Sequence, residues 1–92
     1  MKSFTRLQKE SNRIGAEFLT TELDTAFTFL EVANTTASGE TRERNRNHAH
    51  VAYKTIQRMQ PRVVMINPQK DEFMRRLAEL KRRLEELGFD VA

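Results

Sequence analysis

The sequence predicts an all-α fold, a three-helix up-down-up bundle built as one domain over residues 1–92. Three observations support this prediction. Apolar residues recur every three or four positions in three separate segments, which is the period of a helix with one buried side. Turn-forming residues, Gly39, Pro61 and Pro68, divide these segments. A chain of this length holds one small core, and short links between helices place neighbouring helices side by side in opposite directions.

The first helix is predicted over about residues 11–36. One side of it carries the expected core residues Ile14, Leu19, Leu23, Ala26, Phe27, Leu30 and Ala33. Phe18, Phe29 and Val32 lie on an adjoining side, so the helix has more apolar circumference than one partner helix covers. We therefore expect a second neighbour or a dimer contact there. The pattern leaves open whether residues 1–10 extend this helix or stay mobile.

The second helix is predicted over about residues 39–60. Ser38 is the expected N-cap, because its hydroxyl can accept a hydrogen bond from the backbone two or three residues later. Pro61 ends the helix, since it lacks an N–H group and disfavours helical geometry in the residue before it. The apolar row of this helix comprises Ala49, Ala52, Tyr53, Ile56 and Met59. The apolar run 63–66 is expected to form an extended connector across the core.

The third helix is predicted over about residues 68–87, with Asn67 as its cap and Pro68 as its first residue. Gly88 is the expected stop. Its apolar residues alternate four- and three-residue steps, which gives a narrow seam of the coiled-coil type. This seam and the second apolar side of the first helix are the candidate dimer interface, which comprises Phe18, Phe29, Val32, Phe73, Leu77, Leu80, Leu84 and Leu87.

Positive charge is concentrated in the middle of the chain. The net charge is +3, and residues 40–62 contain six basic and two acidic residues. The usual explanation is a solvated helix face, but such a segment can also bind phosphate groups of RNA or DNA. The candidate phosphate-binding residues are Arg42, Arg44, Arg46, Lys54 and Arg58.

The segment that contains Arg44, Asn45 and His50 resembles the catalytic signature of the HEPN-family ribonucleases, an Arg and a His separated by four to six residues. This resemblance implies metal-independent RNA cleavage, in which Arg44 stabilises charge on the phosphate and His50 acts as acid or base. Arg42 and His48 have the same spacing. No metal site is predicted, because histidines two positions apart on a helix, His48 and His50, point about 200° from each other.

Ala49, Tyr53 and Pro61 form a pattern that resembles the second half of a tetratricopeptide repeat. They match the small residue, the aromatic residue and the terminal proline of that family. The helices are longer than the 34-residue unit allows, and no second copy follows. The resemblance implies a helical hairpin that contacts other proteins, and it brings no catalytic residues.

The leading functional prediction is a non-enzymatic helical interaction module that forms a homodimer or binds another protein, with no cofactor. No apolar segment is long enough to cross a membrane. The sequence has no Cys, which fits a reducing compartment, and its start lacks the apolar core of a secretory signal. These observations predict a cytoplasmic protein. RNA or DNA binding by residues 42–62 is the alternative function.

Overall fold

The computed structural model describes residues 2–92, with side chains described from residue 6 onward. It contains helices α1 (Lys2–Thr35), α2 (Gly39–Met59) and α3 (Gln69–Glu86), and a 3₁₀ turn (Gln60–Arg62) follows α2. No strand occurs in the described part of the chain. The prediction of an all-α three-helix bundle is therefore confirmed.

Helix α1 begins much earlier than residue 11. Residues 2–10 are helical, and Met1 lies outside the described residues. Of the two alternatives for this segment, extension of the helix is therefore correct for residues 2–10. The helix is 34 residues long, whereas α2 has 21 residues, so the first part of α1 extends beyond the end of α2. The long dimension of the molecule, 56 Å, reflects this length.

The ends of α2 form as the sequence predicts. The Ser38 hydroxyl accepts a hydrogen bond from the Thr41 backbone N–H at 3.2 Å, and Pro61 lies in the 3₁₀ turn that ends the helix. The connector after this turn crosses α1 at Gly15. A Cβ atom on Gly15 would lie 3.1 Å from a Val63 methyl group, so the glycine permits close contact between the connector and the helix.

The end of α3 also agrees with the sequence, but its start does not. Helix α3 starts at Gln69 with Pro68 as a cap that forms no side-chain hydrogen bond, so Asn67 is not the cap and Pro68 is not the first helical residue. Gly88 has a φ of +91°, and its N–H donates to the Glu85 carbonyl. The Phe89 N–H donates to the Leu84 carbonyl, and together these bonds form a Schellman motif.

The core lies between all three helices. Its buried residues come from α1, α2, α3 and the last residues of the chain: Leu19, Leu23, Ala26, Leu30, Ala49, Ala52, Tyr53, Ile56, Phe73, Leu77, Leu80, Leu84 and Val91. Ile14, which we assigned to the core side of α1, is 60% exposed, and this assignment is wrong. Ile14 lies on the overhanging part of α1, on the side that neither α2 nor α3 covers.

The seam of α3 is not a free dimer interface. Phe73, Leu77, Leu80 and Leu84 are all buried within this one chain, because the seam packs α3 onto the α1–α2 hairpin. Leu87, at the end of the seam, is 36% exposed. The ion pair between Arg76 and Asp24 of α1, at 2.5 Å, further joins α3 to the hairpin. The prediction that these four seam residues meet a second copy is therefore wrong.

Candidate interaction surface

A row of uncharged side chains runs along the side of α1 that faces away from the core. Its members are three, four or seven positions apart, so they share one side of the helix. We call this row the outer stripe; it comprises Leu7, Ser11, Ile14, Phe18, Thr21, Thr25, Phe29 and Val32. Leu7 is 65%, Phe18 42% and Val32 40% exposed. With Ile14, which is 60% exposed, four apolar side chains of this row are therefore open to solvent.

The outer stripe lies next to one side of α2. The Phe29 ring is half-buried and lies 5.1 Å from the His48 ring, measured between centroids. Val51 lies one helical turn from His48 and is 60% exposed. Together with Thr55, these α2 residues continue the stripe across the hairpin. We call the combined surface, the outer stripe with His48, Val51 and Thr55, the outer face.

Charged residues border the outer face on both sides. On the α1 side, the exposed charged residues are Arg6, Glu10, Arg13 and Glu17, so this border carries both signs of charge. On the α2 side, Arg44, Lys54, Arg58 and Arg62 are exposed, and we call these four residues the basic edge. Arg44 and Arg58 are three or four positions from His48 and Thr55, so they share the same side of α2. Glu40 and Glu43 are also exposed on this helix. Glu22 is half-buried on the α2 side of the stripe. Among the described residues that border the outer face in this way, only Arg44 has an ion pair, at 3.8 Å from Glu40.

Of the residues predicted to bind phosphate, Arg42 and Arg46 are partly buried in the fold. The Arg42 guanidinium donates hydrogen bonds to the carbonyl oxygens of Ala33 at 3.3 Å and Thr36 at 3.1 Å. These carbonyls belong to the end of α1, where helical partners are missing, so Arg42 caps that helix. Arg46 is half-buried, and its Nε atom is fully buried. The predicted set is therefore divided, and Arg44, Lys54 and Arg58 remain on the surface.

The structure does not bring Arg44 and His50 together. Six positions along α2 separate them, which turns their side chains about 120° apart on the helix. His50 Nε2 lies 2.9 Å from the main-chain oxygen of Asp90, and its ring stacks on Phe89 at 4.6 Å between centroids. Arg42 and His48 are also separated, because Arg42 caps α1 and His48 lies against Phe29.

The sequence patterns missed the contact between α2 and the end of the chain. The Tyr53 hydroxyl donates to the Val91 carbonyl at 3.2 Å, and the Gln57 amide donates to the same oxygen at 3.3 Å. Burial raises the pKa of Tyr53, and the charge of Glu85 raises it further. The apolar residues Phe89 and Val91, which follow the Gly88 stop, are the signal that could have predicted a segment folded back onto the bundle.

The described residues include a surface groove but no cluster of metal ligands. No group of three or more His, Cys, Asp or Glu side chains is placed to hold a metal ion there. A groove of about 560 Å³ lies between the start of α1 and the connector, lined by residues that include Arg13, Ala16, Met65 and Ile66. No helix in the described part of the chain combines the length and apolar character needed to cross a membrane.

Comparisons with known proteins give no relative: no protein-family model, curated protein or solved structure matches this chain.

Proposed function

We propose that this chain is a non-enzymatic assembly module that associates with a second copy of itself through the outer face. One observation carries the proposal: in a protein with 32% charged residues, the exposed side of the longest helix has an uncharged row that includes Leu7, Ile14, Phe18 and Val32. Exposed apolar surface of this extent, bordered by charged residues, is typical of a protein–protein contact.

The outer face is large enough for a dimer. Helix α2 has 21 residues, so the hairpin is about 31 Å long at the usual rise per residue. The molecule is 20 Å wide, which gives a projected area of about 600 Å² on this side. A stable interface buries about 800 Å² of accessible surface on each partner. The accessible area of a ridged helical surface exceeds its projected area. The accessible area of the outer face is therefore comparable to the area of about 800 Å² that a stable interface buries on each partner.

Small size favours the same function. A chain of 92 residues buries a modest share of its surface, and association with another copy is a common way to bury more. The resemblance of Ala49, Tyr53 and Pro61 to a tetratricopeptide-type hairpin also points to protein contact. Because the outer stripe is uncharged, two copies of it can meet without repulsion between like charges.

The test compares the mass of wild type with that of Phe18→Glu, using sedimentation equilibrium from low to high micromolar concentration. We expect the wild type to approach twice 10.8 kDa and the variant to remain at the mass of one chain, because the new carboxylate would lose water in the interface. Met74→Glu is the matched control: Met74 is 41% exposed, much like Phe18, but lies on α3. This control should associate like wild type.

Melting temperatures of all three proteins are measured in parallel, because a loss of association counts only in a folded variant. A wild type that stays at one chain mass throughout the range would contradict the proposal. So would a folded Phe18→Glu variant that associates as strongly as wild type.

Nucleic-acid binding is the second candidate function, and the basic edge is the observation that favours it. Arg44, Lys54, Arg58 and Arg62 are exposed on one side of α2, as a phosphate-binding surface requires. No stacking aromatic residue accompanies them, since Tyr53, the sole aromatic residue of α2 apart from its histidines, is buried. Salt-sensitive nucleic-acid absorbance that co-purifies with the protein at low salt would favour this candidate.

A further inference from the structure

We infer that self-association through the outer face is controlled by pH, because His48 lies within that face and carries a positive charge at low pH. The inference rests on the proposed function, and it adds the regulation of the same surface. Histidine is the side chain that ordinarily changes its charge between about pH 5 and pH 8. The chain contains two histidines, His48 and His50, and both lie on α2.

His48 lies where the two helices of the outer face meet. Its ring is 5.1 Å from the ring of Phe29 on α1, measured between centroids, with 33° between the ring planes. Val51, three positions later on α2, is 60% exposed. His48 is itself exposed. In the single chain, the imidazole therefore lies beside apolar side chains but keeps its contact with water, so it takes up a proton without losing solvation.

The charged groups near His48 do not compensate a positive charge on its ring. On α2, Arg44 lies four positions before His48 and shares its side of the helix. Glu40 is a further four positions away and pairs with Arg44. On α1, the carboxylate on the side of α2 is Glu22, which is seven positions, or about 10 Å, from Phe29. No ion pair joins His48 to a carboxylate within the described part of the chain.

A second copy that covers the outer face would remove His48 from water. Removal from water disfavours the charged imidazole much more than the neutral one. Opposite His48, the partner presents either the uncharged outer stripe or the side of α2 that carries Arg44 and Arg58. The stripe cannot compensate the new charge, and the two arginines repel it. The dimer therefore favours neutral His48 in both of these arrangements.

The direction of the pH dependence follows from this preference. Each dimer contains two copies of His48, so formation of the dimer at low pH requires the release of up to two protons. Self-association should therefore weaken as the pH falls through the range in which histidine titrates. We expect the dissociation constant to be about tenfold or more higher at about pH 5.5 than at about pH 7.5.

The test measures the dissociation constant by sedimentation equilibrium at these two pH values and at constant salt. His48→Gln replaces the imidazole with a neutral side chain, so this variant should associate equally at both pH values. His48→Lys has a permanent positive charge at the same position. It should associate weakly at both pH values, as wild type does at the lower pH.

His50→Gln is the matched control, because it removes the other histidine of the same helix. His50 lies on a different side of α2, where its ring stacks on Phe89 at 4.6 Å and its Nε2 atom is 2.9 Å from the main-chain oxygen of Asp90. This variant should keep the pH dependence of wild type. Circular dichroism at both pH values shows whether each protein is folded under the conditions of the measurement.

The outcomes separate this inference from the proposed function. Loss of the pH dependence in His48→Gln but not in His50→Gln supports the inference. If wild type associates through Phe18 equally at both pH values, or more strongly at the lower pH, the inference is wrong and the assembly function stands. The inference is also wrong if His48→Gln keeps the full pH dependence. If wild type associates at neither pH, the proposed function fails and the inference fails with it.

Discussion

Truncation of Leu84 measures how strongly the α3 seam holds the monomer together. Leu84 is fully buried, with 0% of its surface exposed, and it packs among residues of the shared core. Leu84→Ala removes buried carbon atoms and leaves a cavity, which costs about 2–5 kcal/mol in a tight core. For a domain of this size, each kcal/mol lowers the melting temperature by about 4–8 °C. A loss of about 8–40 °C in the melting temperature is therefore expected.

Leu87 provides the matched control. It ends the same seam but is 36% exposed, so Leu87→Ala should cost clearly less free energy of unfolding. Urea unfolding followed by circular dichroism gives the free energy of unfolding of both variants. The molar mass of each variant is measured at the same protein concentrations. Leu84→Met, which largely preserves volume, covers the case in which the alanine variant does not fold.

The reasoning would be refuted by equal stability of Leu84→Ala and wild type, or by equal losses at Leu84 and Leu87. Dissociation of a folded Leu84→Ala variant without loss of monomer stability would restore the seam as an interface between copies.

Two further predictions concern protonation. The raised pKa of Tyr53 means that the fold favours the protonated phenol. This group therefore stabilises the fold fully below the pKa of an unfolded tyrosine, about 10. The stabilisation is lost as the pH rises through the pKa of Tyr53 in the folded protein. Because Tyr53 is the sole tyrosine, phenolate absorbance should have a higher midpoint in the native protein than in urea, and an equal midpoint would refute this. Arg82 and Arg83 lower the pKa of Glu79 from 4.5 to about 2, so NMR of its carboxyl carbon should follow that value, and Arg82→Gln should raise it.

The sequence predicts the helices well because their signals are local. The Ser38 cap, the proline after α2 and the Gly88 stop each act within a few residues of their own position. As expected, Ser38 caps the start of α2, the proline follows its end, and Gly88 follows the end of α3. The apolar seam of α3 is also local, because its period depends on neighbouring residues of the same helix. Such features need no knowledge of the rest of the fold.

Sequence periodicity does not identify what covers an apolar side. The α3 seam and the outer stripe both repeat every three or four residues, yet Leu80 is buried within the chain and Ile14 is open to solvent. The difference arises because Ile14 lies on the outer stripe, whereas Ala16, two positions later on the core side of α1, is only 5% exposed. The predicted core row joined Ile14 to Leu19 although five positions, about 140° of helical rotation, separate them. The core side of α1 could be predicted from Leu19 onward.

Contacts between distant positions were also beyond prediction from local patterns. Arg42 looks like one member of a basic run, but its partners are carbonyl groups at the end of the preceding helix. His50 looks like a candidate catalytic residue, but it lies against Phe89 and Asp90, about 40 positions later in the chain. A charged or titratable side chain takes its role from such partners, and the fold alone determines them.

The division of the basic segment has a consequence for the two candidate functions. Arg42 caps α1, so the positive charge left for a binding partner lies on the basic edge. Arg44 and Arg58 share one side of α2 with Val51 and Thr55 of the outer face, so a second copy that covers this face would also cover these arginines. A nucleic acid would need the same arginines to contact its phosphates. Dimer formation and phosphate binding therefore compete for one surface, and conditions that strengthen one should weaken the other.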